Sequence, residues 1–539
     1  MTRLLLLLGQ RARRDAVQIA LWAVGTGLLA YVSYVGVVGT YGDEQDRASL
    51  LAAALANPVI LLFRGLPSGA DEGAFMVFLI FPWLAILAAF MSTFLAVRHT
   101  RGDEESGRAE LVAATPAARS LPILATALHG ILANLLLGAL VAAAFLAVGL
   151  PAAGALLAGV AVGGVGIVFL GVGLIAAQLL RTSRGANSLA VWTLVVTFVV
   201  AGLGNAIGTP SDDLTRMESS WLAWVSPFGW GENTRAFDED LWWPALLCLG
   251  VGLALAATSI ALASARDLGG SFLAERRGPA AASALLSSPI GLVWRLTRGA
   301  VLGWAVGGLL VGVLSTSLAS IVQEVGASNP AVEEILKQIS GQGSVEQGTV
   351  TTFFTMLGVF AACAAVQTVC RARQEEAHGT AEPLLAAPVG RVRWLADYLV
   401  VALIGIVLVI AAAIAGAALG IAAQDGDPDL MQTVVVTGAG QVAAASVFLV
   451  VTALAFVLAP RLTIPLGWTL VLVAMVLGLF GPLFQFPEWL VHLSPIAVTP
   501  LVDGSDVDLR GLWWLLLATG VGAAASLALM RRRELAAAG

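Results

Sequence analysis

Acidic side chains cluster twice, at one spacing, in an otherwise apolar chain. Asp103, Glu104, Glu105 and Glu110 lie in RGDEESGRAELVAATPAAR, from Arg101 to Arg119. Glu375, Glu376 and Glu382 lie in RQEEAHGTAEPLLAAPVGR, from Arg373 to Arg391. Without a gap, eight of the nineteen positions coincide, among them Arg101/Arg373, Glu104/Glu376, Gly107/Gly379, Glu110/Glu382, Pro116/Pro388 and Arg119/Arg391. Hydrophobic bias cannot produce charged coincidences of this kind. A solvated charge run is one explanation, but recurrence of the spacing favours acids held available to a basic partner surface. Arg119 and Arg391 suit headgroup anchoring equally well.

Other chemistry finds little support. His99, His129, His378 and His492 are scattered with no ligand spacing such as HxxxH, so no metal site is expected. No Ser–His–Asp or paired-acid arrangement appears at mid-span, so catalysis is not expected. A phosphate-cradling loop needs GxxxxGK[ST]; the single lysine, Lys337, has no such loop before it. Cys248, Cys363 and Cys370 all fall in apolar stretches and offer no external disulfide framework.

The elements that must position the acids are membrane helices. Mean hydropathy is +0.88, and only 12% of the 539 residues are charged. Windows long enough to cross about 30 Å of hydrocarbon predict twelve spans, near residues 16–40, 73–97, 121–149, 154–180, 188–208, 241–264, 299–321, 349–370, 394–421, 432–458, 464–485 and 511–530. With the amino terminus inside, twenty-three of the 29 Lys and Arg fall on the cytoplasmic side, leaving six outside. Acids collect in the outer loops at Asp43, Glu44 and Asp46, at Asp238 to Asp240, and at Asp425, Asp427 and Asp429. The net charge of −6 averages two unlike faces and gives no indication of a nucleic-acid partner. Both termini are expected in the cytoplasm, in a bacterial-type cytoplasmic membrane.

Leu4 to Leu8 followed by Arg11, Arg13 and Arg14 reads as an interfacial helix, and Leu285 to Arg298 repeats the arrangement. Each half is then an interfacial helix, two spans, a charged segment and four more spans. Six is even, so the repeats are expected to be parallel, with a pseudo-two-fold axis along the membrane normal. The predicted fold is all-α and polytopic, with halves at 1–264 and 285–539 and a cytoplasmic linker at 265–284. The first charged segment is expected to form one short helix ended by Pro116. In the second, Pro383 should split the helix or start a new one with itself in the first turn.

Trp221, Trp224, Trp230, Trp242 and Trp243 surround one outer connection, and Trp489, Trp513 and Trp514 its repeat, as an interfacial belt would. Short apolar segments before Asp238 and Asp503 permit re-entrant helices. Phe78, Phe81, Phe90 and Phe94 in span two, with Phe353, Phe354 and Phe360 in span eight, default to packing or lipid contact. Their alternative is a shared apolar cavity.

The motif EExGxxExLLAxP, best matched by Glu375-Glu376-Ala-His-Gly379-Thr-Ala-Glu382-Pro-Leu-Leu-Ala-Ala-Pro388, resembles the cytoplasmic coupling segment of ABC-2-type exporter permeases. The fused twelve-span form is similar to the subgroup exporting polyketide antibiotics, the tetronasin-type or multidrug exporters. The resemblance implies a permease without its own ATPase site. It implies two copies of a separate ABC ATPase, carrying ATP and Mg²⁺, on coupling segments built from Asp103, Glu104, Glu105, Glu110, Arg119, Glu375, Glu376, Glu382 and Arg391. It also implies spans two, five, eight and eleven as walls of a route for hydrophobic small molecules. Trp192, Asn205, Trp468 and Phe480 then join Phe81, Phe90, Phe94, Phe353, Phe354 and Phe360, with Phe81 and Phe353 as the favoured pair. Asn205 equally suits a hydrogen bond to a neighbouring helix. No cofactor is expected in this chain. Two other readings stay open, a proton-coupled secondary transporter and a membrane protein handling lipid or cell-wall precursors. The first wants ionisable groups buried at depth, and only Asp397, near a span end, comes close.

Overall fold

The computed structural model describes residues 2–534 except 57, 117, 274–279, 282, 284–285, 329–344, 424–429, 481–486 and 504–505. Lys337, the acids Asp425, Asp427 and Asp429, and part of the expected linker lie outside the described residues. Among those described, twelve helices are long and apolar enough to cross a membrane. The chain divides into two compact units, Met1–Arg277 and Gly278–Gly539.

In the first unit α1 (Thr2–Thr40) leads through α2 (Glu44–Ala56) and α3 (Pro58–Phe63) to α4 (Glu72–Arg98). The charged segment forms α5 (Arg101–Glu105) and α6 (Arg108–Ala113). Then come α7 (Leu121–Ala147), α8 (Ala152–Leu179) and α9 (Ser183–Ala206), a hairpin of β1 (Thr209–Pro210) and β2 (Met217–Glu218), the short α10 (Pro227–Glu232) and α11 (Trp242–Ser264).

The second unit runs α12 (Pro289–Ser328), α13 (Val345–Ala377), α14 (Ala381–Leu385), α15 (Arg391–Ala423), α16 (Leu430–Leu458), α17 (Thr463–Phe480), α18 (Glu488–Val491), a hairpin of β3 (Leu501–Asp503) and β4 (Asp506–Asp508), and α19 (Arg510–Met530). Both units pack by one scheme. The first long helix pairs with the third (α1 with α7, α12 with α15), the second with the fourth (α4 with α8, α13 with α16), and the fourth with the sixth (α8 with α11, α16 with α19).

Small residues make this packing close. Gly138 of α7 and Gly159 of α8 face each other so tightly that a Cβ on either would strike the other's carbonyl oxygen. Helices in lipid gain nothing from expelling apolar groups from water, so backbone approach and dispersion take over. Asn134 ties the same layer, donating to Ser92 Oγ at 2.8 Å and to the Gly130 carbonyl at 2.9 Å.

Three expectations change. The leucine–arginine segments do not form separate interfacial helices; residues 4–14 belong to the first turns of α1 and residues 289–298 to those of α12, while Leu285 lies outside the described residues. The first charged segment is two helices, since Gly107 takes a left-handed φ of +72° between them. Part of the linker is a strap on the first unit, where Phe272 and Leu273 donate backbone N–H groups to the Gln178 and Leu179 carbonyls at the end of α8.

Candidate functional site

The two acidic segments are built alike. Each follows the second long helix of its unit and pivots on a glycine at φ +72°, Gly107 in one and Gly379 in the other. Only a residue without Cβ takes that conformation at no cost. Pro383 lies in the first turn of α14, where its missing N–H would have had no intrahelical partner.

Below each glycine sits a buried ionic clasp that sequence reasoning missed. Glu104 is reached by Arg101 at 2.7 Å, three residues back, and by Arg266 at 2.6 Å, just beyond α11. Arg101 is itself buried, donating to the Ala177 carbonyl at 2.5 Å and the Gly270 carbonyl at 2.6 Å. Glu376, with 1% of its side chain exposed, is reached by Arg373 at 3.4 Å. Arg533, just beyond α19, donates to both of its oxygens at 2.7 and 2.8 Å and stacks on Phe456. In both units the second helix is therefore pinned to the end of the sixth. The outer arginines tie the start of the third helix to the same end more loosely. Arg119 approaches Asp267 at 3.6 Å, and Arg391 donates to the Arg533 carbonyl at 2.7 Å.

Glu104 and Glu376 thus depart from the expectation of acids standing in water. The desolvation of each carboxylate is offset by its arginines. Other acids also have internal duties. Glu105 accepts from the backbone N–H of Ser183 at 2.7 Å, at the start of α9. Asp103 accepts from Arg14 at 3.0 Å and Arg108 at 2.9 Å. Glu375 pairs with Arg371 at 2.5 Å and accepts from Thr380 at 2.9 Å. Glu110 and Glu382, the equivalent pair, are exposed beside exposed Leu111 and Pro383. Arg266 and Arg533 carried only a weak signal, each among the first basic residues after a sixth span.

The fold also gathers residues that the chain scatters. His99, just past α4, and His129 on α7 both reach Oδ2 of Asp15 on α1, His129 Nε2 at 3.2 Å and His99 Nε2 more closely. The histidine rings meet edge to face at 5.7 Å, and all three residues are buried. Arg98 approaches the other Asp15 oxygen at 3.2 Å. Beside them a cleft of about 570 Å³ is lined by Arg11, Arg14, His99, Asp103, Glu104 and Arg266, among others.

Residues 286–531, spanning α12 to α19, match the family described as "Multidrug efflux system permease Rv1217c, C-terminal domain". Over 509 residues the chain is 35% identical to the multidrug efflux system permease protein Rv1217c of Mycobacterium tuberculosis, an alignment covering 94% of this chain and 90% of that protein. The chain belongs to this family of multidrug efflux permeases.

In this permease the aromatic candidates separate by environment. Phe81 is 2% exposed and packed inside its unit, against Gly231 of α10. It is a core residue, and its repeat-equivalent Phe353 is only half-buried while the neighbouring Phe354 is fully buried. Phe90 and Phe94 stack at 5.6 Å, and Phe360 meets Trp304 edge to face at 5.5 Å. Trp192 and Trp468 are exposed, and the Phe480 side chain lies outside the described residues. Asn205 is buried and donates to Glu232 of α10 at 2.6 Å. Burial pushes the Glu232 carboxyl up to about 8, with the Asn205 bond acting in the opposite sense. Trp221, Trp242, Trp243, Trp489, Trp513 and Trp514 are exposed, as boundary residues should be.

Proposed function

We propose that this chain is the membrane subunit of an ATP-driven exporter of hydrophobic or amphipathic compounds, with a separate ATPase docking on α5–α6 and α14. Family membership supports the export of drugs. The observation that carries the ATPase contact is the repeated geometry: in each segment an exposed glutamate, Glu110 or Glu382, is presented on a glycine pivot above a buried arginine clasp. A push on the segment is then passed by the clasp to the sixth helix of that unit. Acids of this kind meet a basic surface through charge-assisted hydrogen bonds. The twelve-helix count and the placement of basic residues support cytoplasmic termini. The route for substrate is apolar, with Phe90, Phe94, Phe353 and Phe360 as better candidates than Phe81, because Phe81 is already committed to α10.

A proton-coupled mechanism is less well supported. The ionisable cluster of Asp15, His99 and His129 lies level with the end of α4, not at mid-span, and Glu232 lies outside the long helices. The test is pulldown of the full-length chain with a co-expressed ABC ATPase, comparing wild type with E110K, E382K and the double variant. Loss of the ATPase in the double variant, with the permease still monodisperse, is the expected result. Export that follows a pH gradient and needs no ATPase would reject the proposal.

A further inference from the structure

We propose that Asp15, His99 and His129 form a binding site for a divalent transition-metal cation, with zinc the best fit, beneath the first coupling segment. Three helices contribute one ligand atom each: a carboxylate oxygen from α1 and imidazole nitrogens from the end of α4 and from α7, all within 4.8 Å of one another. In a tetrahedral zinc site, bonds of about 2.0–2.2 Å place neighbouring ligand atoms roughly 3.3 Å apart. The His129 Nε2 to Asp15 Oδ2 separation of 3.2 Å is close to that value, and the tighter His99 contact has to open to admit the ion.

The surroundings are those of a metal's outer shell. Metal-bound histidines direct their second nitrogen at a carboxylate or carbonyl, and bound carboxylates are held through their other oxygen. His99 Nδ1 faces Asp103 Oδ2 at 3.7 Å, and Asp15 Oδ1 faces Arg98 at 3.2 Å. The His99 side chain is 0% exposed, yet Nδ1 makes no hydrogen bond and stands 3.7 Å from Asp103 Oδ2. A polar knot built only for stability pairs such a nitrogen. Two neutral imidazoles and one carboxylate leave a bound dication with a net charge of +1; Asp103 pairs Arg14 and Arg108 through Oδ1 and turns Oδ2 toward His99. The cleft that His99 and Asp103 line provides an entry path and room for a water as the fourth ligand. Nitrogen-rich N₂O donor sets suit zinc and its neighbours, not magnesium or calcium. Bound metal would tie α1 and α7 to α4 where Asp103 opens the coupling segment, so occupancy would stiffen the first contact and leave α14 unaffected.

The assignment is clean to test because the chain has only four histidines. The full-length protein, purified in detergent with a histidine-free tag and stripped with a chelator, is titrated with Zn²⁺ against a chromophoric competitor, and with Co²⁺ as a spectroscopic probe. One equivalent of Zn²⁺ and the visible bands of low-coordinate Co²⁺ are expected. Affinity should fall at least about tenfold in H99N, H129N and D15N, and stay unchanged in H378N and H492N. Should the buried variants fail to fold, wild type decides alone: one equivalent of Co²⁺ should give the visible bands of a low-coordinate, nitrogen-ligated ion, and Zn²⁺ should abolish them. Wild-type protein that takes up no stoichiometric Zn²⁺, or whose Co²⁺ shows only the spectrum of the aqueous ion, overturns the site.

Discussion

Glu376 is held between an arginine three residues back and an arginine that follows the last long helix of its unit, with almost none of its side chain in contact with water. Removing Arg533 leaves this buried carboxylate to the longer Arg373 contact at 3.4 Å, and breaking a buried pair costs about 3–5 kcal/mol. R533A should therefore destabilise the detergent-solubilised permease by that order, and E376Q should partly restore it by removing the stranded charge. R266A should cost less, because Glu104 is 12% exposed and keeps Arg101 at 2.7 Å. Thermal unfolding of the three variants checks the ranking; equal losses for R266A and R533A would contradict it. A second residue governs pH dependence. The Glu232 carboxyl sits above its ordinary value because burial disfavours the anion. Between the unfolded value near 4.3 and about 8, the folded state holds a proton that the unfolded state releases, so this group's contribution to stability falls as pH rises. E232Q keeps an oxygen for Asn205 and has no charge to bury. Its melting temperature should lose that slope between pH 5 and 9 and exceed wild type at the alkaline end.

At the scale of elements, a glycine at φ +72° turns the chain within each acidic segment. A Cβ at Gly107 or Gly379 would meet no neighbouring atom, so a substitution there acts through backbone conformation alone. Left-handed φ costs a residue with a Cβ about 1–2 kcal/mol. G379A should weaken ATPase association while thermal stability changes by no more than that, and G379N should be milder, since asparagine tolerates this region. If G379A binds the ATPase like wild type, the pivot does not set the docking geometry. The glycines of α7 and α8 work differently. At Gly138 the obstacle is the Gly159 carbonyl, part of a helix backbone that cannot yield. G138L should separate α7 from α8 and abolish folding, read as loss of the monodisperse gel-filtration peak.

For the whole molecule, orientation is the property on which the proposed function depends. Single cysteines at Ser106 and His378, both exposed in the two acidic segments, should react with impermeant thiol reagents only from the cytoplasm. A cysteine at exposed Asp212, in the loop between α9 and α11, should react only from outside. The native cysteines are buried and should give little background. Ser106 and His378 reacting from opposite sides would overturn the expectation of parallel halves and, with it, the proposal that one kind of ATPase meets both segments.

Apolar run length and basic-residue bias determined that the chain is a twelve-helix membrane protein, because the bilayer imposes a minimum length of apolar helix that composition alone reveals. The repeated charged segment suggested a family, and the match to efflux permeases agrees with it. What each residue of that segment does was decided by tertiary structure. Glu104 and Glu110 look alike as a charged pair, yet one is buried in a clasp and the other is exposed, because the partner of Glu104 comes from 162 residues away. Phe81 and Phe353 occupy equivalent positions, yet only Phe81 is locked into its core, by a glycine on α10. Asp15, His99 and His129 have no spacing that a linear motif could register. Ligand and ion-pair geometry depends on which helix faces pack together, and in a membrane protein that choice rests on small-residue contacts such as Gly138 with Gly159. Hydropathy is blind to those contacts because every face of such a helix is apolar.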